Sequence, residues 1–514
     1  MSTPWPQRLA IPEPEAAARS VRAWAQGARP LAGLLESGLD EAQAATRFGL
    51  HLLKEEENAD AATVFRAAIA LSPADRDLWT NLGVALDRAG AEADAAAALE
   101  ESLKLGREQP DIWIFLGVVR AKLREDAAAE AAYRTAITLQ PDSAAAWQCL
   151  GLLKEARRDY AAAIDCLRES IRLGNGSAAV QANLGKLLYQ LGRVREAREA
   201  YANAAQREPA NEHYQRMLRK ARFLSDAIDG APVEAALSAY QPDGPAGGDG
   251  ERDRLAWLEI AAGLLTGLGH RDAAMRLCEK RVELAPGSAS ARYLLDALSG
   301  KPLDRAPSDY IVENFDAFAE RYDAQLVGVL GYDVPEQLVA AMRKLAPAAN
   351  SYDALDAGCG TGLCGPLLRP LCRTLTGVDL SAGMLARAER RGVYDALLRE
   401  ELVAFLARHP AQFDLIVAAD VLLYFGDLRA LFAGAALALR PGGLFGLSIE
   451  LDPGEAPSPG YRVLPAGRFA HAPDYVRAVA AAGFDQELCL DTTLRLEAQR
   501  RVRGNLFLFR RRPG

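Results

Sequence analysis

Three glycines fall at alternate positions in residues 354–365, ALDAGCGTGLCG: Gly358, Gly360 and Gly362. Asp356 stands just before them. Glycine lets a backbone turn tightly, and lets a ligand lie where a Cβ would otherwise stand. A second acid, Asp379, ends the next apolar run, LTGVD. The dinucleotide fingerprint spaces its glycines GxGxxG and holds a pyrophosphate at a helix N-terminus. Here the pattern is D-x-G-x-G-x-G, and Asp356 would repel a pyrophosphate facing it. Acids in these two places suit a ligand with an amino group and a pair of hydroxyls. No catalytic triad, paired carboxylates or metal cluster accompanies them. The seven cysteines (149, 166, 278, 359, 364, 372 and 489) form no CxxC pair. Such scatter argues against a zinc site or a disulfide framework and fits a reducing cytoplasm.

What would position those residues? From about residue 309, short apolar runs alternate with helical patterns. DALDAG, LTGVD (375–379), DALLRE (395–400), FDLIVAAD (413–420) and GLFGLSIE (443–450) read as strands. AGMLARAERR (382–391) and LRALFAGAALAL (428–439) read as helices between them. The alternation implies an open, mostly parallel sheet covered by helices. Ligands of such sheets sit at the carboxyl ends of the strands, where the glycine turn falls. A helix reads at 473–484, and the two closely spaced strands after it, near 486–494 and 505–511, read as an antiparallel hairpin at one edge.

LDAGCGTG, GVDLSAGMLARA, FDLIVAADVLLYF and ALRPGGLFGLSIE stand in this order. With them, segment 309–514 resembles the class I S-adenosylmethionine-dependent methyltransferases. YIVENFDAFAERYDAQLVGVLGY (310–332) and GRFAHAPDYVRAVAAAGF (467–484) resemble the predicted bacterial members that carry tetratricopeptide repeats. The resemblance implies a Rossmann-like seven-stranded domain with S-adenosyl-L-methionine as cofactor. It places Gly358, Gly360 and Gly362 along the ribose and methionine portion, with Asp356 near the amino group. Asp379 then holds the ribose diol and Leu380 covers one adenine face. Glu401, or its neighbour Glu400, meets the adenine amino group. Asp420 lies against the methionine part, and Tyr424 faces the active centre. Tyr322 is the aromatic that closes over the cofactor; it shares one helical face with Phe315 and Phe318. His471 is the candidate general base, needed only for an acceptor protonated at pH 7. Arg468 is a candidate hold for an anionic acceptor. Cys359 reads as a small residue in the turn.

The first half is of another kind. Gly49, Gly83, Gly117, Gly151 and Gly185 recur every 34 residues. Ala61, Ala95, Ala129, Ala163 and Ala197 keep the same register, as do Phe65, Leu99, Tyr133, Leu167 and Tyr201. Trp79, Trp113 and Trp147 form a fourth column, and Pro73, Pro141 and Pro209 close three units. The pattern resembles the tetratricopeptide repeat, two antiparallel helices per unit stacked into a solenoid. Residues 1–41 then form an N-terminal extension and 42–211 five repeat units. Residues 212–298 form a helical segment with a weaker unit at 255–288. A Gly/Pro/Asp-rich break spans 241–253, and 299–308 reads as a linker.

Across 514 residues, 50% are apolar and 25% charged, ordinary globular composition. The net charge of −8 gives no general pull toward nucleic acid or anionic membrane. No apolar stretch is long enough to span a bilayer, and the N-terminus has no secretion-signal pattern. The expectation is an α solenoid joined to an α/β methyltransferase in the cytoplasm. Its acceptor would be a protein, or be carried on a protein docked by the repeats. The alternatives are transfer to a free small molecule with repeats used for assembly, and an inactive scaffold.

Overall fold

The computed structural model describes residues 9–240, 250–452, 459–497 and 500–513. Most of the expected break at 241–253 lies outside them. The chain forms two compact units, residues 1–222 and 223–514.

In the first unit, helices Pro14–Gly27 and Arg29–Glu36 precede the repeats. Five helix pairs follow: Glu41–Lys54 with Asn58–Leu71, Arg76–Arg88 with Glu92–Leu105, Pro110–Lys122 with Asp126–Leu139, Ala144–Ala156 with Tyr160–Arg172, and Ala178–Gln190 with Val194–Arg207. The sequence columns now have partners. A Cβ on Gly49 would lie 2.7 Å from the Phe65 ring, and one on Gly83 2.8 Å from Leu99. Gly151 faces Leu167 and Gly185 faces Tyr201 in the same way, each at 3.1 Å. The glycine of one helix is thus the seat of the large residue on the next. The tryptophan column closes turns. The indole N–H of Trp79 donates to the Pro73 carbonyl at 3.0 Å, that of Trp113 to Arg107 at 2.9 Å and that of Trp147 to Pro141 at 3.1 Å. Gln215, two periods after Trp147, makes the same bond to Pro209 at 3.2 Å.

The second unit opens with helices Val233–Ala239, Gly250–Gly267, Arg271–Leu284 and Ala289–Ser299. Gly250–Gly267 and Arg271–Leu284 pack together where the weaker unit was expected. The strands follow: β1 Tyr352–Ala357, β2 Cys372–Asp379, β3 Ala396–Arg399, β4 Phe413–Ala418, β5 Leu439–Leu451, β6 Tyr461–Val463, β7 Phe469–His471, β8 Phe484–Glu497 and β9 Arg500–Arg511. β3, β2, β1, β4 and β5 lie side by side and parallel. β9 pairs antiparallel with β5, and β8 with β9. These seven strands are the expected frame, including the antiparallel hairpin.

The two short strands are an addition. Glu450 pairs with Gly504 of β9 on one side and with Ala470 of β7 on the other. β7 therefore takes the place beside β5 that β4 vacates after Ala418. The β6–β7 pair prolongs the sheet past the carboxyl end of β4. Strand pleating sends neighbours to opposite faces. Leu355 enters a core with Phe405, Phe432 and Phe445. Ala354 enters the other, with Leu338 and Met342.

Residues 300–307 are bonded to this unit. Arg305 forms an antiparallel bridge with Phe425. The Ala306 N–H donates to the Tyr424 carbonyl at 2.9 Å, and the Gly426 N–H to the Asp304 carbonyl at 2.8 Å. The Tyr461 hydroxyl donates to Asp304 Oδ1 at 2.5 Å. One helix earlier, the Tyr293 hydroxyl donates to the Gly467 carbonyl at 2.8 Å. A fragment of residues 212–514, which keeps the helix Glu212–Ile228 whole, should therefore bind the cofactor that the resemblance implies within about twofold of the full chain. One starting at 308 loses these contacts, several hydrogen bonds of about 1 kcal/mol each. Its affinity should fall at least about tenfold, read by titration calorimetry. Equal affinity of the two fragments would show that the joining segment has no part in the site.

Candidate active site

A cleft opens at the carboxyl ends of β1, β2 and β4. Its floor is the glycine turn. All three glycines have positive φ: 69° at Gly358, 54° at Gly360 and 81° at Gly362. Their reasons differ. A Cβ on Gly358 would meet Val421 Cγ2 at 2.6 Å, and one on Gly362 would meet Tyr394 at 3.0 Å. A Cβ on Gly360 would have no protein atom within 4 Å. Gly360 lines the cleft, so the room it leaves lies open to a ligand.

Asp379 ends β2 beside that room. Its Oδ2 accepts the Gly360 N–H and its Oδ1 the Ser381 N–H, both at 2.9 Å. Burial pushes its carboxyl up, and these backbone donors oppose the push. The bonds fix the carboxylate while it still borders the cleft. A fixed, half-buried acceptor fits a diol. Leu380 and Met384 continue the wall.

The third strand end differs from the expectation. Glu401 caps the helix Leu402–Arg408, accepting the N–H groups of Val403 at 3.0 Å and Ala404 at 2.8 Å. It also pairs with Arg305. It does not line the cleft; Glu400, the neighbouring alternative, does. Glu401 is drawn away because an acid before a helix satisfies the helix's free N–H groups.

Asp420, after β4, lines the cleft in a left-handed conformation, φ 55°, uncommon for a residue with a Cβ. Its N–H donates to Ser448 Oγ at 2.8 Å, and that hydroxyl donates back to its Oδ1 at 3.2 Å. Burial pushes its carboxyl up, opposed by Arg495, whose guanidinium lies 3.6 Å away. Arg495 also pairs with Glu450, to which Arg468 Nε donates at 3.3 Å. Arg468 is thus engaged by Glu450 and does not line the cleft.

The aromatic roof joins two elements. Phe315 of the leading helix Ser308–Phe318 stands 5.9 Å from Tyr322 and 5.5 Å from Tyr424, centroid to centroid and edge-on. All three line the cleft. Burial pushes both tyrosine hydroxyls far above their usual range, so they stay neutral. The helix is pinned by Asp316, whose Oδ1 accepts the Gly383 N–H at 2.9 Å and the Ser381 hydroxyl at 2.5 Å.

His471, expected as general base, does not line the cleft. It is fully buried, with Nε2 donating to the Phe425 carbonyl at 2.8 Å. Burial lowers its pKa to about 4. The ring buttresses the loop that carries Tyr424. Asp356 lines a smaller cavity with Gly358, Gly360 and Thr361. Burial raises it to about 7, and the Tyr394 hydroxyl, donating to its Oδ2 at 2.6 Å, opposes the rise. Burial holds Cys359 well above its usual range, as an inert thiol. Among the described residues no cluster of possible metal ligands occurs, and no helix is long and apolar enough to cross a membrane.

Residues 355–445, which hold the glycine turn and Asp379, match the model of a methyltransferase domain. Tetratricopeptide-repeat models match 46–111, 93–144, 116–178 and 155–221. The chain is a tetratricopeptide-repeat protein with a class I methyltransferase domain. Part of it is 33% identical over 138 residues to malonyl-[acyl-carrier protein] O-methyltransferase of Hahella chejuensis, covering 26% of this chain and 47% of that one. A stretch of 103 residues is 31% identical to ubiquinone biosynthesis O-methyltransferase of Thiobacillus denitrificans, covering 19% and 44%. The chain spans about half the length of the curated relatives it matches. The crystal structure of the N-methyltransferase NodS from Bradyrhizobium japonicum with S-adenosyl-L-homocysteine is 18% identical. It aligns with a TM-score of 0.32, covering 39% of this chain and 98% of that one.

Sequence reasoning missed Arg305, Ile311, Met384 and Phe425 in the walls of the methyltransferase cleft. Arg305 lies in a segment whose prolines and aspartate signal a linker, and its guanidinium sits 4.5 Å over the Phe425 ring centroid. No local pattern announces such a contact across 120 residues of chain.

Proposed function

We propose that this protein transfers a methyl group from S-adenosyl-L-methionine to an acceptor that is a protein, or is carried on a protein held by the repeats. The observation that carries the cofactor is the Gly360–Asp379 pair: an open space above a positive-φ glycine, bordered by a fixed, half-buried carboxylate. Asp379 would hold the ribose hydroxyls, Leu380 the adenine face, Glu400 the adenine amino group and Asp356 the methionine ammonium. The cofactor supplies a methyl group already activated by its sulfonium. The chain's part is then alignment and exclusion of water, which the roof of Phe315, Tyr322 and Tyr424 serves.

The name of the Hahella relative, with an acceptor on a carrier protein, supports the carried form of the acceptor. Repeat solenoids commonly bind protein, which supports the docking role. The name of the ubiquinone-pathway relative favours a second reading, transfer to a small molecule with the repeats serving assembly. The seven cysteines form no disulfide, which supports a reducing cytoplasm as the protein's place.

A lysate of cells lacking the protein, incubated with the purified chain and methyl-labelled cofactor, tests the reading. Label is expected in the protein fraction, either directly or on a group released from a carrier by mild base. Label confined to free small molecules would favour the second reading. No cofactor binding at all would leave an inactive scaffold.

A further inference from the structure

Tyr394 belongs to none of the methyltransferase motifs. It lies between the helix Ala382–Arg390 and β3. Yet three glycines from three elements make room for its ring. A Cβ on Gly362 in the turn would lie 3.0 Å from it. On Gly365, at the start of the following helix, the separation from the ring would be 2.8 Å, and on Gly377 in β2 3.1 Å. From this seat its hydroxyl reaches Asp356 Oδ2 at 2.6 Å.

Asp356 is 2% exposed at the end of β1. The groups that act on it are the Tyr394 hydroxyl and the Asp379 carboxylate from β2, and its own charge in turn reaches the thiols of Cys359, Cys364 and Cys372. All are neutral or negative, so a buried acid here lacks a cation among them. A donor to the ionised form favours ionisation.

We infer that Tyr394 is a positioning residue that keeps Asp356 ionised and aimed at the ammonium of the cofactor's methionine portion. The inference rests on the proposed cofactor reading. It makes the affinity for an amino-bearing cofactor depend on one hydroxyl outside the glycine motif.

The sign follows from the charges. When Asp356 is protonated the ammonium loses its partner, so binding weakens as pH falls through the pKa of Asp356, raised by burial to about 7. Without the hydroxyl that pKa rises further, and the weakening begins at higher pH.

The test is titration of the full chain with S-adenosyl-L-homocysteine by calorimetry, from about pH 5.5 to about pH 8.5. Wild-type affinity is expected to fall on the acid side. In Tyr394→Phe, which keeps the ring in its seat, the midpoint should move up by about one unit, an affinity loss of about fivefold at neutral pH that approaches about tenfold on the acid side. The loss should shrink toward the alkaline end. Asp356→Asn should bind weakly with a flat acid limb. A Tyr394→Phe profile that superposes on the wild type overturns the inference, as does an Asp356→Asn profile with the wild-type slope. Absence of binding by the wild type defeats the cofactor reading itself, and the inference with it.

Discussion

Gly360→Val is expected to abolish binding of S-adenosyl-L-homocysteine while leaving the helical signal of the repeats unchanged. A Cβ there meets no protein atom within 4 Å, so the protein offers no packing objection. What it offers is a left-handed backbone, φ 54°, which costs a residue with a Cβ roughly 1–2 kcal/mol. The added side chain then fills the space the ligand needs. Gly360→Ala separates the two effects: its stability should fall by only that strain, yet its affinity by at least about a hundredfold. Gly358→Ala is the contrast, because its Cβ would strike Val421 at 2.6 Å and should damage the fold itself. Retained affinity in a folded Gly360→Val would mean that the ligand does not cross the turn.

Asp379→Ala is expected to have the next largest effect. It removes the acceptor for the Gly360 and Ser381 N–H groups, and the two bonds assigned to the ribose diol. Hydrogen bonds to a charged group contribute about 1.5–3 kcal/mol each. Two of them make a loss of about a hundredfold or more in affinity. Asp379→Asn keeps one acceptor oxygen and should lose less. A correctly folded Asp379→Ala with wild-type affinity would remove the ribose assignment.

Periodic and local signals were legible in the sequence. The 34-residue columns showed the helix pairs because each unit must seat one large side chain on one glycine. The glycine turn and Asp379 were legible because strand, turn and helix are contiguous there. Contacts between distant segments left no such trace. The strands Tyr461–Val463 and Phe469–His471 are three residues each, too short for alternation to show. Glu400 and Glu401 are adjacent acids, and only the start of a helix at Leu402 decides which one turns inward. Tyr394 is one of 15 tyrosines. Its seat is built from glycines that each had a sufficient local reason to be there.

The bridge between Arg305 and Phe425 bears on how such a chain can be assembled from parts. A gene fusion that joined a new repeat array at residue 308 would respect the visible change in composition. It would also discard Arg305, which lines the cleft, and Asp304, which holds the Tyr424 loop by backbone bonds. A fusion at residue 211, ahead of the helix Glu212–Ile228, would keep both and leave that helix whole. The portable cassette is therefore longer than the catalytic fold, and its inheritable edge lies inside what reads as the other half.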